Sequence, residues 1–217
     1  LCECSIESIC KRILDPDKEI QLYENAQGCN SKIQLAVACG STLPCQGGSE
    51  YYMTCQYDVD HFPQIYPGYD GNLDCNVSIG GKDITNLDSL SWITSIGGYL
   101  QITGNDSLTS LAGLEGLTSI EGLLNIGLPL SLYQPAGNHS LASIESLSNL
   151  TSLGGSLGIM YNPNLNGLEG LEGINSINGE LRIQENTFPN LTGLDNISSI
   201  AGDMRLSGAL TSLSGLE

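Results

Sequence analysis

From residue 84 onward an apolar residue falls at every third position, in groups of five. The first group is Ile84, Leu87, Leu90, Ile93 and Ile96. It is followed by Leu108, Leu111, Leu114, Leu117 and Ile120, then by Leu141, Ile144, Leu147, Leu150 and Leu153. Next come Leu165, Leu168, Leu171, Ile174 and Ile177, then Phe188, Leu191, Leu194, Ile197 and Ile200. Leu210, Leu213 and Leu216 begin a sixth group. Successive groups start 24, 33, 24, 23 and 22 residues apart. On an α-helix each step of three turns about 300°, so the stripe drifts and no face stays apolar. On a strand every step would reverse the face. A backbone that winds near three residues per turn, or bends at regular corners, keeps all these positions inward.

Four residues after each full group comes an alternating apolar pair: Leu100/Ile102, Leu124/Ile126, Leu157/Ile159, Leu181/Ile183 and Met204/Leu206. Alternation of period two marks a short strand with one face buried. The unit is thus a strand plus a tight non-α arc. One unit cannot bury its own apolar edge, but stacked units bury a continuous core. The fold expected is mainly β, a parallel β-solenoid of about 24-residue coils and roughly 25 Å in length. Tight corners account for much of the glycine (27 of 217 residues), notably Gly97-Gly98, Gly154-Gly155, Gly179 and Gly202.

The run Cys75-Asn-Val-Ser-Ile-Gly-Gly-Lys-Asp-Ile-Thr-Asn-Leu-Asp-Ser-Leu resembles the receptor L-domain repeat. So does the pattern Leu-x-Ile-x-x-Asn-x-x-Leu-x-x-Leu-x-Gly-Leu-x-x-Leu-x-Ser-Ile from Leu100. That family is similar to leucine-rich repeats and occurs in growth-factor receptor ectodomains, fungal wall proteins and microbial surface proteins. The resemblance covers about residues 75–217. It implies a right-handed solenoid outside the cell and carries over no catalytic or binding residue.

All eight cysteines, Cys2, Cys4, Cys10, Cys29, Cys39, Cys45, Cys55 and Cys75, fall in the first 75 residues. An even count in one short region reads as a disulfide framework formed in an oxidising compartment. The C-x-C-x5-C spacing of the first three lacks the pairing of a zinc site. The expected division is a disulfide-rich N-terminal cap over 1–74 and the solenoid over 75–217. Trp92, at an outward position of the first coil, is expected to contact that cap. The sixth group breaks off at Glu217, so further repeats or a second subunit are expected to cover that end.

The 33-residue interval holds about nine extra residues within 127–137, reading Leu-Pro-Leu-Ser-Leu-Tyr-Gln-Pro-Ala. Insertions emerge on one edge of a solenoid, and Leu128, Leu130, Leu132 and Tyr133 form an apolar candidate for a docking contact. Folding back over the coil edge or the N-terminal domain is the alternative. Asn105, Asn138, Asn162 and Asn186 recur just before the apolar groups and are expected to satisfy backbone groups at each corner. N-x-S/T sequons occur at Asn76, Asn105, Asn138, Asn149, Asn190 and Asn196. In those at Asn149, Asn190 and Asn196 the middle residue belongs to the inward beat, which turns the acceptor outward. Asn105 and Asn138 share the corner column and conflict with an outward acceptor.

The chain carries 24 acidic and 7 basic residues, a net charge of −17. That excludes a nucleic-acid binder held by phosphate contacts and disfavours an anionic membrane surface. No run approaches the ~20 apolar residues of a membrane helix. Neither histidine, His61 nor His139, belongs to a catalytic or metal motif, and no phosphate-binding loop is present. Asp70-Gly-Asn72-Leu-Asp74 begins like a calcium loop but lacks the glycine and glutamate that complete one, and Asp15, Asp17 and Glu19 are read as solvated acids. No cofactor, metal or catalytic residue is expected. The function expected is a non-catalytic extracellular glycoprotein module, a structural or adhesive component of a surface, wall or filament. Its partners would be proteins or further copies of itself, met through the solenoid end or the 127–137 insert, with N-linked glycans outside. The alternative is a receptor ectodomain that binds a ligand on its sheet face or insert.

Overall fold

The computed structural model describes residues 49–66, 70–128 and 137–216. Thirteen short strands among these residues are joined into parallel sheets. The main sheet has seven strands in the order β1 (Glu50–Met53), β3 (Asn76–Ile79), β5 (Leu100–Ile102), β7 (Leu124–Ile126), β9 (Leu157–Met160), β11 (Leu181–Asn186) and β13 (Met204–Gly208). The alternating pairs stack in register: Val77 on Leu100, Leu100 on Leu124, Leu124 on Leu157, and Leu157 on Leu181. The insert leaves that register untouched, because its residues enter after Ile126 and the chain rejoins its path at Asn138.

The arc differs from expectation in one respect. Its last step forms a second strand, so each coil crosses two sheets. Strands β2 (Asn72–Leu73), β4 (Ser95–Ile96), β6 (Ser119–Ile120) and β8 (Ser152–Leu153) make one sheet, and β10 (Ser176–Ile177) with β12 (Ser199–Ile200) makes another. Between the two sheet faces the chain turns through tight 3-10 geometry at Asp88–Leu90 and Glu145–Leu147. A 3-10 turn has three residues per turn, which is why a three-residue beat keeps its leucines inward. From Ile84 to Leu194 every residue of the beat is buried, in one continuous core with the strand pairs.

The main sheet begins at Glu50 rather than at residue 75. Tyr51 and Met53 lie beside Val77 and Ile79 in register and join the same core. After β1 the chain forms helix α1 (Gln56–Ile65), which packs Val59, Phe62 and Ile65 against the first coil. Asp58 in its first turn accepts from the Thr54 backbone N–H (2.8 Å) and hydroxyl (2.9 Å), closing the entry to the helix. Trp92 stacks with Phe62 and Tyr66, centroids 6.3 and 5.4 Å apart. The expected contact of Trp92 with the N-terminal region is therefore made by this helix and the residue after it.

Candidate binding face

Strand alternation decides what the main sheet presents outward. With Tyr51, Met53, Val77, Ile79, Leu100 and Ile102 inside, the residues between them form columns on the opposite face. One column runs Tyr52, Ser78, Gln101, Asn125, Gly158, Arg182, Arg205. Its first half is hydroxyl and amide, and its last two members are stacked arginines. Those arginines are neutralised in place: Arg182 pairs with Glu180, and Arg205 lies 3.6 Å from Glu180 and 3.2 Å from Asp203.

At the N-terminal end of this face, Glu50 gathers three hydroxyls. Ser78 Oγ donates to its Oε1 at 2.6 Å, and the phenols of Tyr52 and Tyr99 stand near enough to act on its carboxyl. Burial pushes the Glu50 carboxyl up, but the three hydroxyls outweigh it and hold the group below its usual range. The effect on the phenols is reciprocal. Tyr52 is raised mainly by Glu50, and Tyr99 is pushed up to about 12 by burial, helped by the same carboxylate. Beside them lies a cleft of about 430 Å³ lined by Tyr52, Gly80, Gly81, Lys82, Gln101 and Thr103. The sequence reading missed Glu50, Tyr52 and Tyr99, since it began the repeat at residue 84. The available signal was Tyr51/Met53 and Val77/Ile79, two more alternating pairs one coil-length apart.

The other candidates scatter. Asn105, Asn138, Asn162 and Asn186 form a buried column along the solenoid axis. Asn105 Nδ2 donates to Ile79 O and Asn138 Oδ1, Asn138 Nδ2 to Ile102 O and Asn162 Oδ1, and Asn162 Nδ2 to Ile126 O and Asn186 Oδ1. With 0% exposure, Asn105 and Asn138 present no acceptor nitrogen to solvent in the folded coil. Asn149 and Asn196 are exposed at equivalent positions of the arc, each donating to the preceding coil at Glu115 O and Glu172 O. Asn190 Oδ1 accepts from the Thr192 N–H at 3.1 Å, a turn bond that leaves its Nδ2 out of the fold's hydrogen bonding. Asn76, in β3, is half-buried and accepts from the Tyr99 N–H.

The hydroxyls of these sequons serve the fold as well. Ser107 Oγ donates to Lys82 O, Ser140 Oγ to Asp106 O, Thr151 Oγ1 to Thr118 O and Ser198 Oγ to Asn175 O. Part of the sequon count therefore comes from ladders that the coil repeats for its own cohesion.

Cys75 is buried and disulfide-bonded, and Cys55 stands at the start of α1. Cys2, Cys4, Cys10, Cys29, Cys39 and Cys45 lie outside the described residues. So do Leu130, Leu132 and Tyr133 of the insert, while Leu128 is half-buried. Among the described residues no cluster of three or more acidic, histidine or cysteine side chains could hold a metal ion, and no helix is long and apolar enough to cross a membrane.

Residues 70–170 match the family model of the receptor L domain. No curated protein and no solved structure matches the chain. Stacked parallel strands and the coil repeat agree with this match, and over residues 70–170 the chain is similar to the receptor L domain.

Proposed function

We propose that the chain is a non-catalytic, extracellular, adhesive glycoprotein module that engages its partner through the N-terminal half of the seven-stranded face. The observation that carries this reading is the exposed Tyr52 and the Glu50–Ser78 hydrogen bond beside a cleft. Here an aromatic ring is held 58% exposed on a rigid sheet. Tyrosine on a rigid surface provides contact area at little entropic cost. Glycans at Asn149, Asn190 and Asn196 would stand on the arcs and leave the sheet face uncovered. This reading takes up the adhesive role and the receptor-like sheet face together.

The test measures adhesion of fluorescently labelled full chain to cell-wall and extracellular-matrix preparations. Asn125→Arg places a bulky charge on the face, and Ser148→Arg places the same charge on the exposed arc. The face variant should lose adhesion and the arc variant keep it. Equal behaviour of the two would remove the sheet face from the function. Self-association in sedimentation velocity, without adhesion, would replace the reading with a purely structural one.

A further inference from the structure

We propose that the cleft beside Tyr52 is a binding site for a neutral oligosaccharide; this rests on the adhesive reading and names its ligand. Tyr52 lines the cleft and is 58% exposed, so it offers a ring face there. A ring face is weakly negative and apolar, and it suits the C–H face of a pyranose ring. Because Tyr52 stands on a strand paired in register with β3, little backbone ordering remains to be done when a ligand arrives.

Gly80, Gly81 and Gly104 line the cleft, and a Cβ placed on Gly104 would meet nothing within 4 Å. Around it stand the Gln101 amide, the Thr103 hydroxyl and the Lys82 ammonium. Amide and hydroxyl groups both donate and accept, as sugar hydroxyls do. Partner columns on the face repeat every ~4.8 Å along the solenoid axis, comparable to the advance of one sugar ring along an extended chain.

Charge narrows the class further. The Glu50 carboxylate accepts from Ser78, and Lys82 Nζ lies 3.7 Å from Asp106. The cation lining the cleft, Lys82, is thus already paired rather than held for a sulfate, phosphate or carboxylate, and the molecule carries −17 overall. A protein hot spot would need a desolvated apolar centre. Of the apolar side chains around the cleft, Met53 and Ile79 are buried in the core and Tyr52 supplies the exposed ring.

The test is isothermal titration calorimetry of the full chain, produced with its disulfides in a bacterial periplasm so that Asn76 bears no glycan. The probes are cellohexaose, laminarihexaose, chitohexaose and an oligomannose N-glycan, with a heparin hexasaccharide as the anionic comparison. Saturable binding of at least one neutral probe is expected, and the oligomannose arm separates a partner's glycan from a free polysaccharide. Tyr52 is largely exposed, so Tyr52→Ala should fold, which the thermal transition checks. Loss of a stacked ring should weaken binding about tenfold or more, while Tyr52→Phe should retain most of it. Silence of all neutral probes, preference for heparin, or unchanged affinity in Tyr52→Ala would each overturn the proposal. If adhesion still depends on Asn125 when no sugar binds, only the saccharide ligand falls. If adhesion ignores the face, the reading beneath it falls too.

Discussion

Asn138 Oδ1 receives two hydrogen bonds from Asn105, one from its backbone N–H at 3.2 Å and one from its Nδ2 at 2.9 Å. The same pair of hydrogen bonds links Asn162 to Asn138 and Asn186 to Asn162. Each asparagine side chain thereby satisfies a carbonyl and a backbone N–H of the preceding coil. Gly81 N–H closes the N-terminal end of the column on Asn105 Oδ1.

Asn138→Ala should destabilise the solenoid by about 2–4 kcal/mol, because the Asn105 N–H and Nδ2 lose their buried acceptor. Asn186→Ala, at the column's end, should cost less. Urea unfolding of the two variants compares them directly, and equal small losses would mean that the ladder adds little.

Two glycines separate backbone strain from collision. Gly104 has φ +68° with open space around its missing side chain, so Gly104→Ala tests conformation alone and should cost about 1–2 kcal/mol. Gly113 has φ +105°, and a Cβ there would sit 2.1 Å from Leu87 O, inside the contact between coils. Gly113→Ala should therefore cost more than Gly104→Ala in thermal unfolding. The reverse order would deny that close packing of coils is what demands Gly113.

Glu115 accepts from its own backbone N–H, from Gly113 N–H (2.8 Å) and from Ser146, which together hold its carboxyl below the usual range despite some burial. A carboxyl lowered on folding adds stability above its unfolded value and loses it as pH falls through the folded one. Stability should thus decline from about pH 4.5 downward as Glu115 and Glu50 protonate. Glu115→Gln should flatten part of that decline in denaturation midpoints recorded from pH 6 to 3. An identical pH profile would assign the acid sensitivity to other groups.

Expressed in a eukaryotic secretory host, the chain should carry N-glycans at Asn149, Asn190 and Asn196 and none at Asn105 or Asn138. Peptide mapping after enzymatic deglycosylation in heavy-oxygen water reads each site separately. A glycan at Asn138 would be incompatible with the buried column and would show that the chain is modified at the expense of its fold.

Much of the solenoid was legible because its signal is repeated. The apolar residue at every third position excludes helix and simple strand on geometric grounds. Leu100/Ile102 and the pairs after it mark the main sheet, and the corner asparagines announce a column. Repetition fails as a guide where a coil departs from consensus. Tyr51 and Met53 keep the alternation but lack the leucine arc, so the first strand passed for part of the cap. The second sheet was hidden because Ser95-Ile96 and its equivalents occupy only the last step of the beat. A two-residue strand has no period of its own to read.

The sequence by itself determined the coil: a backbone near three residues per turn, stacked so that leucine, isoleucine and asparagine face inward. Tertiary structure alone decided what lies across coils. Glu50, Ser78 and Tyr99 stand far apart in the chain and meet only because parallel stacking sets β1, β3 and β5 side by side. Likewise the six sequons look equivalent as triplets. Burial in the asparagine column separates Asn105 and Asn138 from Asn149 and Asn196 on the arc. Inward positions are dictated locally because each residue's direction follows from its own turn. Sites are not, because they depend on which distant coils the stack brings within a hydrogen bond of one another.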